Sequence, residues 1–382
     1  MDLIAPKVRS WASILEWEAR NQAIESSSLE IVPHWVALLP DVHYGKGSTV
    51  GSVLPTRGGI IPAAVGVDIG CGMSAIKLDL QDITDLPRLR GQLERDIPRG
   101  EGRNGSFEAA GKGFRQNQIN FLEDALPTGF DPDGICPWWR EQVGTLGGGN
   151  HFLEVDRDEE GFIWLTLHSG SRGVGLRVAE HHIKLAQAQG QDLPNKDLAW
   201  FEENTPAFEA YIDQMMWCQT YAKCNRQVMQ WAMIEAVSRH VGGYVEILES
   251  LDCHHNYTTQ EEHYGEELWV TRKGAIRART GDLGLIPGSM GTTSYIVEGK
   301  GYAESFTSAP HGAGRVLSRR KAKNTLDFAE FQAQMAGIEC HISEKQLDEA
   351  PGAYKPIDVV LNDARDMIEV RHTLTPILNI KG

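Results

Sequence analysis

Five short segments of this chain combine glycine or asparagine with residues that commonly bind metal ions, and each lies in or beside a loop that flanks a predicted strand. Glycine lets the backbone turn sharply, so side chains in such loops can converge on one point. The fold must therefore bring these loops, which are far apart in the sequence, close together in space. The segments are 40–47 (PDVHYGKG), 65–73 (VGVDIGCGM), 147–154 (GGGNHFLE), 167–173 (LHSGSRG) and 252–257 (DCHHNY).

The second segment holds the strongest pair of candidate ligands. Asp68 and Cys71 are three residues apart in a glycine-bounded loop. A carboxylate and a thiolate together suit a borderline divalent ion such as manganese or zinc. His151, His168 and His255 add three imidazoles, enough for two ions that share the thiolate. Two-metal sites clamp oxygens in phosphoryl displacement.

Each of these residues also has an ordinary interpretation. An aspartate beside a buried cysteine is common in loops, and a single histidine in such a loop is usually structural. His254 is an alternative ligand to its neighbour His255. His43 either lies near the site or stabilises its loop.

Two later segments suggest phosphate chemistry. The loop at 286–295 (IPGSMGTTSY) can form an anion-binding nest from backbone NH groups. His311 begins a Gly-Ala-Gly turn, and an imidazole nitrogen can attack phosphorus. Basic residues follow at 315–323, and the guanidinium of Arg172 can fork onto two phosphate oxygens. Taken singly, these features are more typical of a plain turn, a loop histidine and a solvated helix face.

Charge and cysteine usage restrict the class of protein only partly. The net charge of −15 argues weakly against nucleic acid as a partner, although an acidic protein can contain a locally basic groove. The six cysteines include no CxxC pair, which fits a reducing compartment. Since no stretch of about 18 apolar residues occurs, we expect a cytoplasmic protein that does not bind membranes.

The pattern of the chain predicts an α+β fold, with 1–382 forming a single domain and a helical insertion near 176–241. Composition predicts a loop at 97–106. Strands are expected at 36–40, 52–55, 74–80 and 162–167, and helices at 11–24, 176–190, 205–241, 325–336 and 358–369.

As an ordered set, these motifs resemble the RtcB family of RNA-splicing ligases. The resemblance runs from about Pro40 to Gly382. It is carried by DVHYGKG, GVDIGCG, GGGNHF, HSGSRG, HHNY, PGSMGTTSY, HGAGR and the closing Lys-Gly. The motif set, through the family that it resembles, implies mixed or antiparallel sheets around a central metal and nucleotide site.

The resemblance implies a role for each site residue. One manganese ion would be held by Asp68, Cys71 and His151, and a second by Cys71, His168 and His255. His311 matches the histidine that GTP guanylylates, and Arg172 and Arg315 resemble RNA-phosphate contacts. The residues implied to contact the nucleotide are Asn150, Phe152, Glu154, Asn256, Ser289, Ser294, Ala313, Gly314, Tyr354 and Lys381.

The implied activity is a GTP- and Mn²⁺-dependent ligation of RNA. An RNA 3'-phosphate or 2',3'-cyclic phosphate end would be joined to a 5'-hydroxyl end, through a guanylyl-histidine and an RNA-3'-pp-5'-G intermediate. An archease-type activator is a candidate partner. The donor set would also take zinc or cobalt. The alternative is a binuclear metal-dependent phosphodiesterase with the same five ligands, which would need neither His311 nor a guanine pocket.

Two features depart from the family pattern. The segment 99–105 (RGEGRNG) is unusual for the family, and the chain is somewhat short. Both leave the metal and nucleotide positions untouched. They suggest a role in repairing cleaved RNA as an alternative to tRNA splicing.

Overall fold

The computed structural model of the chain describes residues 1–100 and 113–382. The strands are β1 (Asp2–Ala5), β2 (Val8–Ser10), β3 (Val36–His43), β4 (Val50–Thr56), β5 (Gly59–Ile60), β6 (Gly72–Leu78), β7 (Phe152–Arg157), β8 (Ile163–Ser169), β9 (Phe201–Glu202), β10 (Ile247–His254), β11 (Asn256–His263), β12 (Glu266–Lys273), β13 (Ala275–Arg277), β14 (Leu283–Ile286), β15 (Ser294–Gly299), β16 (Ser308–Pro310), β17 (Glu339–Cys340) and β18 (Ile368–Lys381). The helices are α1 (Trp17–Ser27), α2 (Pro62–Val65), α3 (Leu86–Asp96), α4 (Phe114–Asp124), α5 (Pro132–Ile135), α6 (Trp139–Gln142), α7 (Arg172–Gln187), α8 (Pro206–Val241), α9 (Arg319–Thr325), α10 (Phe328–Gln334) and α11 (Ile357–Asp363). Single 3₁₀ turns occur at Lys196–Leu198, Ala303–Ser305, Glu344–Glu349 and Pro351–Ala353.

Two sheets organise these elements. The first has the strand order β1-β2-β3-β4-β12-β11. The second runs β10-β6-β8-β7-β18-β15-β14, with β17 added alongside β18. Most pairs are antiparallel, with β2–β3 and β17–β18 parallel. This mixed architecture confirms the predicted α+β class, while a single domain over 1–382 stays a prediction.

The helix α8 packs the second sheet against the other helices. It begins at Pro206 after Thr205, whose hydroxyl accepts a hydrogen bond from the Phe208 NH, and ends at Gly242 with φ 78°. One apolar cluster joins α8 to α7 and α4, and another joins its second half to α3, β6, β7 and β8. The long helix α8 thus packs directly against the strands that hold the predicted site.

The predicted strands and the two insertion helices are confirmed within a few residues, and two other helices are wrong in part. The helix expected from residue 11 begins at Trp17, because Trp11 is buried and its backbone NH donates to the carbonyl oxygen of Leu38 in β3. The helix expected at 358–369 ends at Asp363, since Ile368 pairs with Gly299 at the start of β18. The helix expected at 325–336 is confirmed in its central part as α10, which begins after the N-cap Asp327, and α9 overlaps the expected range only at Thr325. The loop expected at 97–106 and the unusual segment 99–105 lie partly outside the described residues.

Candidate active site

Four strands of the second sheet bring four of the predicted metal ligands to the same end of the sheet. Cys71 immediately precedes β6 and His151 precedes β7, whereas His168 lies near the end of β8 and His255 follows β10. Because β6 is antiparallel to both β8 and β10, and β7 is antiparallel to β8, these four strand ends meet. Topology alone therefore explains why ligands far apart in sequence converge.

The first cluster consists of Asp68, Cys71 and His151. The His151 Nε2 atom lies 3.0 Å from Asp68 Oδ2 and 3.5 Å from Cys71 Sγ. On the other side of the ring, Nδ1 donates to the Leu146 carbonyl oxygen at 3.0 Å, so Nε2 points into the cluster, where a bound cation would replace its hydrogen bond to Asp68 and take its lone pair.

The second cluster consists of Cys71, His168 and His255. The His168 Nε2 atom is 3.2 Å from Cys71 Sγ and 3.3 Å from His255 Nε2. All three side chains are buried. In both clusters the potential ligand atoms lie within 4.8 Å of one another, and Cys71 belongs to both. The structure thus brings together the five residues in the two groups that the sequence predicted.

The chemistry of this donor set fits two divalent cations. Burial and the neighbouring histidines hold the pKa of His168 and of His255 well below the usual value, so both rings keep free lone pairs. Burial and then Asp68 raise the pKa of the Cys71 thiol well above its usual value; a bound cation would reverse that balance. For Asp68, burial opposes ionisation, but hydrogen bonds with His151 and Cys71 lower its pKa to about 2.

Close backbone approach at two glycines supports the same fit. A Cβ atom on Gly170 would lie 2.2 Å from Asp68 Oδ1, and one on Gly147 would lie 2.7 Å from His151 Nδ1. Only glycine leaves space for these ligands where they stand.

The two neighbouring histidines have other partners. His254 Nδ1 lies 2.9 Å from the Gly70 carbonyl and 3.3 Å from an Arg226 nitrogen, away from the donor clusters. This favours His255 over His254 as the ligand. His43 lines the cleft beside the metal clusters and also lies 2.9 Å, through Nδ1, from the Asp41 carbonyl in its own loop.

His311 lies next to the second cluster, with its ring centroid 4.7 Å from that of His255. Its Nδ1 lies 2.6 Å from Asp41 Oδ2, and its backbone NH donates to the same oxygen at 3.1 Å. Asp41 is fully buried. A carboxylate accepts the Nδ1 proton, so the Nε2 lone pair is left free to react.

The metal clusters and His311 open into a cleft of about 380 Å³. All ten residues predicted to contact a nucleotide line it, namely Asn150, Phe152, Glu154, Asn256, Ser289, Ser294, Ala313, Gly314, Tyr354 and Lys381. Pairing between β7 and β18 explains part of this convergence, because Glu154 faces Asn379 and Phe152 faces Lys381.

One end of the cleft presents a carboxylate and an ammonium group. The Asn379 amide donates to Glu154 Oε1 at 2.6 Å, and burial raises the pKa of Glu154 to about 7 against the lowering effects of Asn379 and Lys381. Lys381 Nζ lies 2.8 Å from Glu349 Oε2 and 5.4 Å from the centre of the Phe152 ring. This end of the cleft therefore offers both hydrogen-bond acceptors and donors beside an aromatic face.

Glu349 also organises the predicted RNA contact Arg315. The Arg315 guanidinium donates to the Tyr354 hydroxyl at 2.7 Å and lies 3.4 Å from Glu349 Oε1, while Arg319 reaches the same carboxylate oxygen at 2.8 Å. Arg315 lies on the cleft wall.

The other predicted RNA contact, Arg172, lies behind the metal loops. It begins α7 with φ 57° and donates to the Thr145 hydroxyl at 3.1 Å and to the Gly100 carbonyl at 2.9 Å. Its side chain contacts loop backbone close to His151, since a Cβ on Gly147 would collide with it.

Several residues of this site were missed by the sequence analysis. Asp41 lies in a segment already singled out, where the DxH spacing of Asp41 and His43 was the available signal. Glu349, Asn379 and Lys273 lie in segments without such a motif. Lys273 also lines the cleft, and burial lowers the pKa of its ammonium group to about 7.

Comparison with known proteins agrees with this geometry. The family model described as "tRNA-splicing ligase RtcB" matches residues 22–382. The RNA-splicing ligase RtcB of Escherichia coli K12 is 41% identical, over 96% of this chain and 95% of that protein. The tRNA-splicing ligase RtcB of Pyrobaculum aerophilum is 31% identical, over 91% of this chain and 87% of that protein. The RNA-splicing ligase RtcB of Mycobacterium tuberculosis is 30% identical, over 90% and 96%.

The residues matched by the family model include every residue that lines the cleft. These similarities define the protein as an enzyme of the RNA ligase class. More particularly, the chain belongs to the RtcB family of RNA-splicing ligases, as the motif set predicted. RNA is accordingly the substrate class. Among the described residues, no helix is both long and apolar enough to cross a membrane.

Proposed function

We propose that this ligase joins RNA 3'-phosphate or 2',3'-cyclic phosphate ends to 5'-hydroxyl ends, using GTP and two Mn²⁺ ions through a guanylyl-histidine at His311. The observation that carries the proposal is the position of His311. Its ring lies against the second donor cluster, in the same cleft as Glu154 and Lys381, with Nδ1 held by Asp41. An imidazole so placed can act on a phosphate bound between the metals and the base pocket.

Recognition of guanine would use Glu154 and Lys381. A carboxylate accepts hydrogen bonds from guanine N1–H and the 2-amino group, and an ammonium group donates to O6. Phe152 supplies an aromatic surface next to Lys381. This combination would disfavour adenine, which offers an acceptor at N1 and a donor at the 6-position.

The ionisation of Glu154 leads to a pH-dependent affinity for GTP. Only the carboxylate form of Glu154 accepts hydrogen bonds from both guanine donors. Because its pKa is raised to about 7, the affinity for GTP is expected to be highest above that pH. As the pH falls below 7, the dissociation constant should rise, approaching about tenfold per pH unit. Equilibrium binding of GTP between pH 5.5 and 8.5 measures the effect. Glu154→Gln should bind weakly throughout and lack this inflection; an equal inflection in the variant would assign it to another group.

The first chemical step would be carried out by His311. Its Nε2 lone pair attacks the α-phosphorus of GTP, the bond to the β-phosphate oxygen breaks, and pyrophosphate leaves. Asp41 keeps the Nδ1 proton in place and stabilises the positive charge that the ring acquires. When bound, the two ions held by Asp68, Cys71, His151, His168 and His255 would neutralise charge on phosphate oxygens.

Two transfers would complete the reaction. An RNA 3'-phosphate oxygen attacks the guanylyl phosphorus, and the P–N bond to His311 breaks, which gives RNA-3'-pp-5'-G. A 5'-hydroxyl oxygen then attacks the RNA phosphorus and GMP leaves. A 2',3'-cyclic phosphate would first be opened by water to the 3'-phosphate. Arg315, on the cleft wall, is the candidate contact for an RNA phosphate, with Arg172 near the metal loops as the second.

The experiment that tests this function is incubation with α-labelled GTP and Mn²⁺, followed by denaturing electrophoresis. Label should remain on the native chain and be absent from His311→Ala. His43→Ala is the matched control, because His43 also lines the cleft but lacks the carboxylate contact. If the native chain binds GTP and Mn²⁺ without acquiring label, the guanylyl-histidine mechanism is wrong and a binuclear phosphodiesterase becomes the better assignment.

The cellular setting follows from the same proposal. We place the enzyme in the cytoplasm, acting in tRNA splicing or in the repair of cleaved RNA, with an archease-type activator as a candidate partner. Equal activity on every broken RNA tested would count against a dedicated repair role.

A further inference from the structure

Two adjacent polar residues in the middle of α8, Asn225 and Arg226, are fully buried behind the metal clusters. Burying an amide and a guanidinium is costly unless their hydrogen-bonding groups are satisfied. Neither residue lines the cleft or belongs to a donor cluster. Their hydrogen bonds instead reach loops that carry the metal ligands.

Asn225 binds the loop before β7 and the turn after β8. Its Oδ1 accepts from the backbone NH groups of Gly144 at 2.7 Å and Thr145 at 3.1 Å. Its Nδ2 donates to the carbonyl oxygens of Thr145 and Gly170, both at 3.2 Å, and to the Ser169 hydroxyl at 3.2 Å. One side chain therefore ties two separate loops together.

Those two loops set the positions of His151 and Asp68. Leu146, next to Thr145, provides the carbonyl that accepts from His151 Nδ1 and also accepts from the Ser169 hydroxyl at 2.8 Å. Ser171, next to Gly170, donates its backbone NH to Asp68 Oδ1 at 3.0 Å. Asn225 thus supports the positions of His151 and Asp68, the two ligands that belong to the first cluster alone.

Arg226 binds the loop before β6 and the ends of β8 and β10, and shares only Ser169 with Asn225. Its Nε and Nη2 fork onto the Asp252 carboxylate at 2.7 and 2.8 Å, and Nη2 lies 3.3 Å from His254 Nδ1. Its Nη1 donates to the carbonyl oxygens of Gly70 and Ser169, both at 3.0 Å. The planar guanidinium makes all of these contacts at once, which an ammonium group could not do.

The groups bound by Arg226 adjoin the ligands of the second cluster. Gly70 precedes Cys71, Ser169 follows His168, and His254 precedes His255. Asp252 pairs with Ser74 in the β10–β6 ladder, so the ion pair also fixes the strand end from which His255 projects.

We propose that Asn225 and Arg226 are positioning residues that each set the geometry of a different metal ion. Asn225 supports the ion bound by Asp68, Cys71 and His151, and Arg226 supports the ion bound by Cys71, His168 and His255. This inference rests on the two-ion assignment of the proposed function. Partners that orient metal ligands typically change metal affinity by about 10- to 100-fold when they are removed.

The test measures manganese binding rather than ligation. Asn225→Leu removes the amide group and keeps a side chain of similar volume. Arg226→Lys keeps a positive charge opposite Asp252 but loses the contact of two nitrogen atoms with that carboxylate. Gln214→Leu is the matched control, since Gln214 makes one hydrogen bond from α8 to His182, away from the site. Bound Mn²⁺ per chain and the two dissociation constants are measured by equilibrium dialysis, with electron paramagnetic resonance to detect spin coupling between paired ions. The melting temperature of each metal-free chain is recorded in parallel.

We expect the native chain and Gln214→Leu to bind two ions with a coupled spectrum. Asn225→Leu and Arg226→Lys should each keep one ion near its native affinity, bind the other about 10- to 100-fold more weakly, and lose the coupling. His151→Ala added to Asn225→Leu should change little further, whereas His255→Ala added to it should abolish the remaining site. In the Arg226→Lys background, His255→Ala should change little further, whereas His151→Ala should abolish the remaining site.

Two results would overturn the proposal. One is native affinity for both ions in folded variants, even with a lower melting temperature, because that would assign the pair a purely structural role. The other is equal weakening of both ions in each variant. If Arg226→Lys does not fold, Asp252→Asn keeps the arginine and weakens the same fork, and it should affect the same ion. A native chain that binds two ions but never forms guanylyl-histidine would end the proposed function and leave this result standing.

Discussion

Asp41→Asn is expected to lower the rate of guanylylation by about 10⁴-fold while GTP and Mn²⁺ still bind. The Asp41 carboxylate accepts the His311 Nδ1 proton at 2.6 Å, which leaves Nε2 unprotonated. An asparagine can turn its amide nitrogen to Nδ1, which moves the ring proton to Nε2 and removes the nucleophilic lone pair. If its oxygen instead keeps both contacts with His311, the negative charge that stabilises the imidazolium is still lost, although the shape of the site is kept.

Single-turnover labelling with α-labelled GTP measures this rate. Asp158→Asn is a suitable control, because Asp158 is also buried and hydrogen-bonded, through Trp164 at 3.0 Å and through Lys77, but lies outside the cleft. The control should label at close to the native rate. Near-native labelling of folded Asp41→Asn would show that the carboxylate does not determine the reactive tautomer.

Cys71→Ser should have the largest effect on metal content, because this thiol belongs to both donor clusters. Serine is nearly isosteric, but its hydroxyl stays protonated where a bound thiol would ionise. We expect both ions to bind at least about 100-fold more weakly. Removing a ligand of one cluster only, as in His151→Ala, should spare the other ion.

Metal analysis after dialysis against a fixed free Mn²⁺ concentration distinguishes these outcomes. Cys224→Ser serves as the control, since Cys224 is a buried thiol of α8 that belongs to neither donor cluster. Two tightly bound ions in Cys71→Ser would contradict a shared thiolate and require separate ligand sets.

The candidate metal ligands and His311 could be singled out from the sequence because each lies in a loop that contains glycine or asparagine and has a side chain with an identifiable chemical role. Glycine in these loops permits close approach between segments, for instance of Gly170 to Asp68, and the glycines that permit it are visible in the sequence. The α+β class followed from strand and helix periodicity in the same way.

Other features depend on contacts that no local pattern encodes. Asn379 and Glu349 gain their roles only when β18 pairs with β7 and the Glu344–Glu349 turn reaches the cleft. Asn225 lies in a helix whose residues suggested packing alone. Trp11 fits a helical pattern, but tertiary pairing beside β3 determines its conformation. Such residues become predictable only once the topology is known.

The meeting of four strand ends has a consequence for the survival of the protein in the cell. The candidate ligands are spread from Asp68 to His255, on segments that are far apart in an unfolded chain, so the proposed ions could be chelated only after both halves of the sheet are assembled. Ions that bind only the folded chain add stability by mass action, about 2.7 kcal/mol per ion at a free concentration 100 times the dissociation constant. A shortage of manganese would then expose more of the polypeptide to proteolysis, and the supply of the ion would regulate the amount of enzyme as well as its rate.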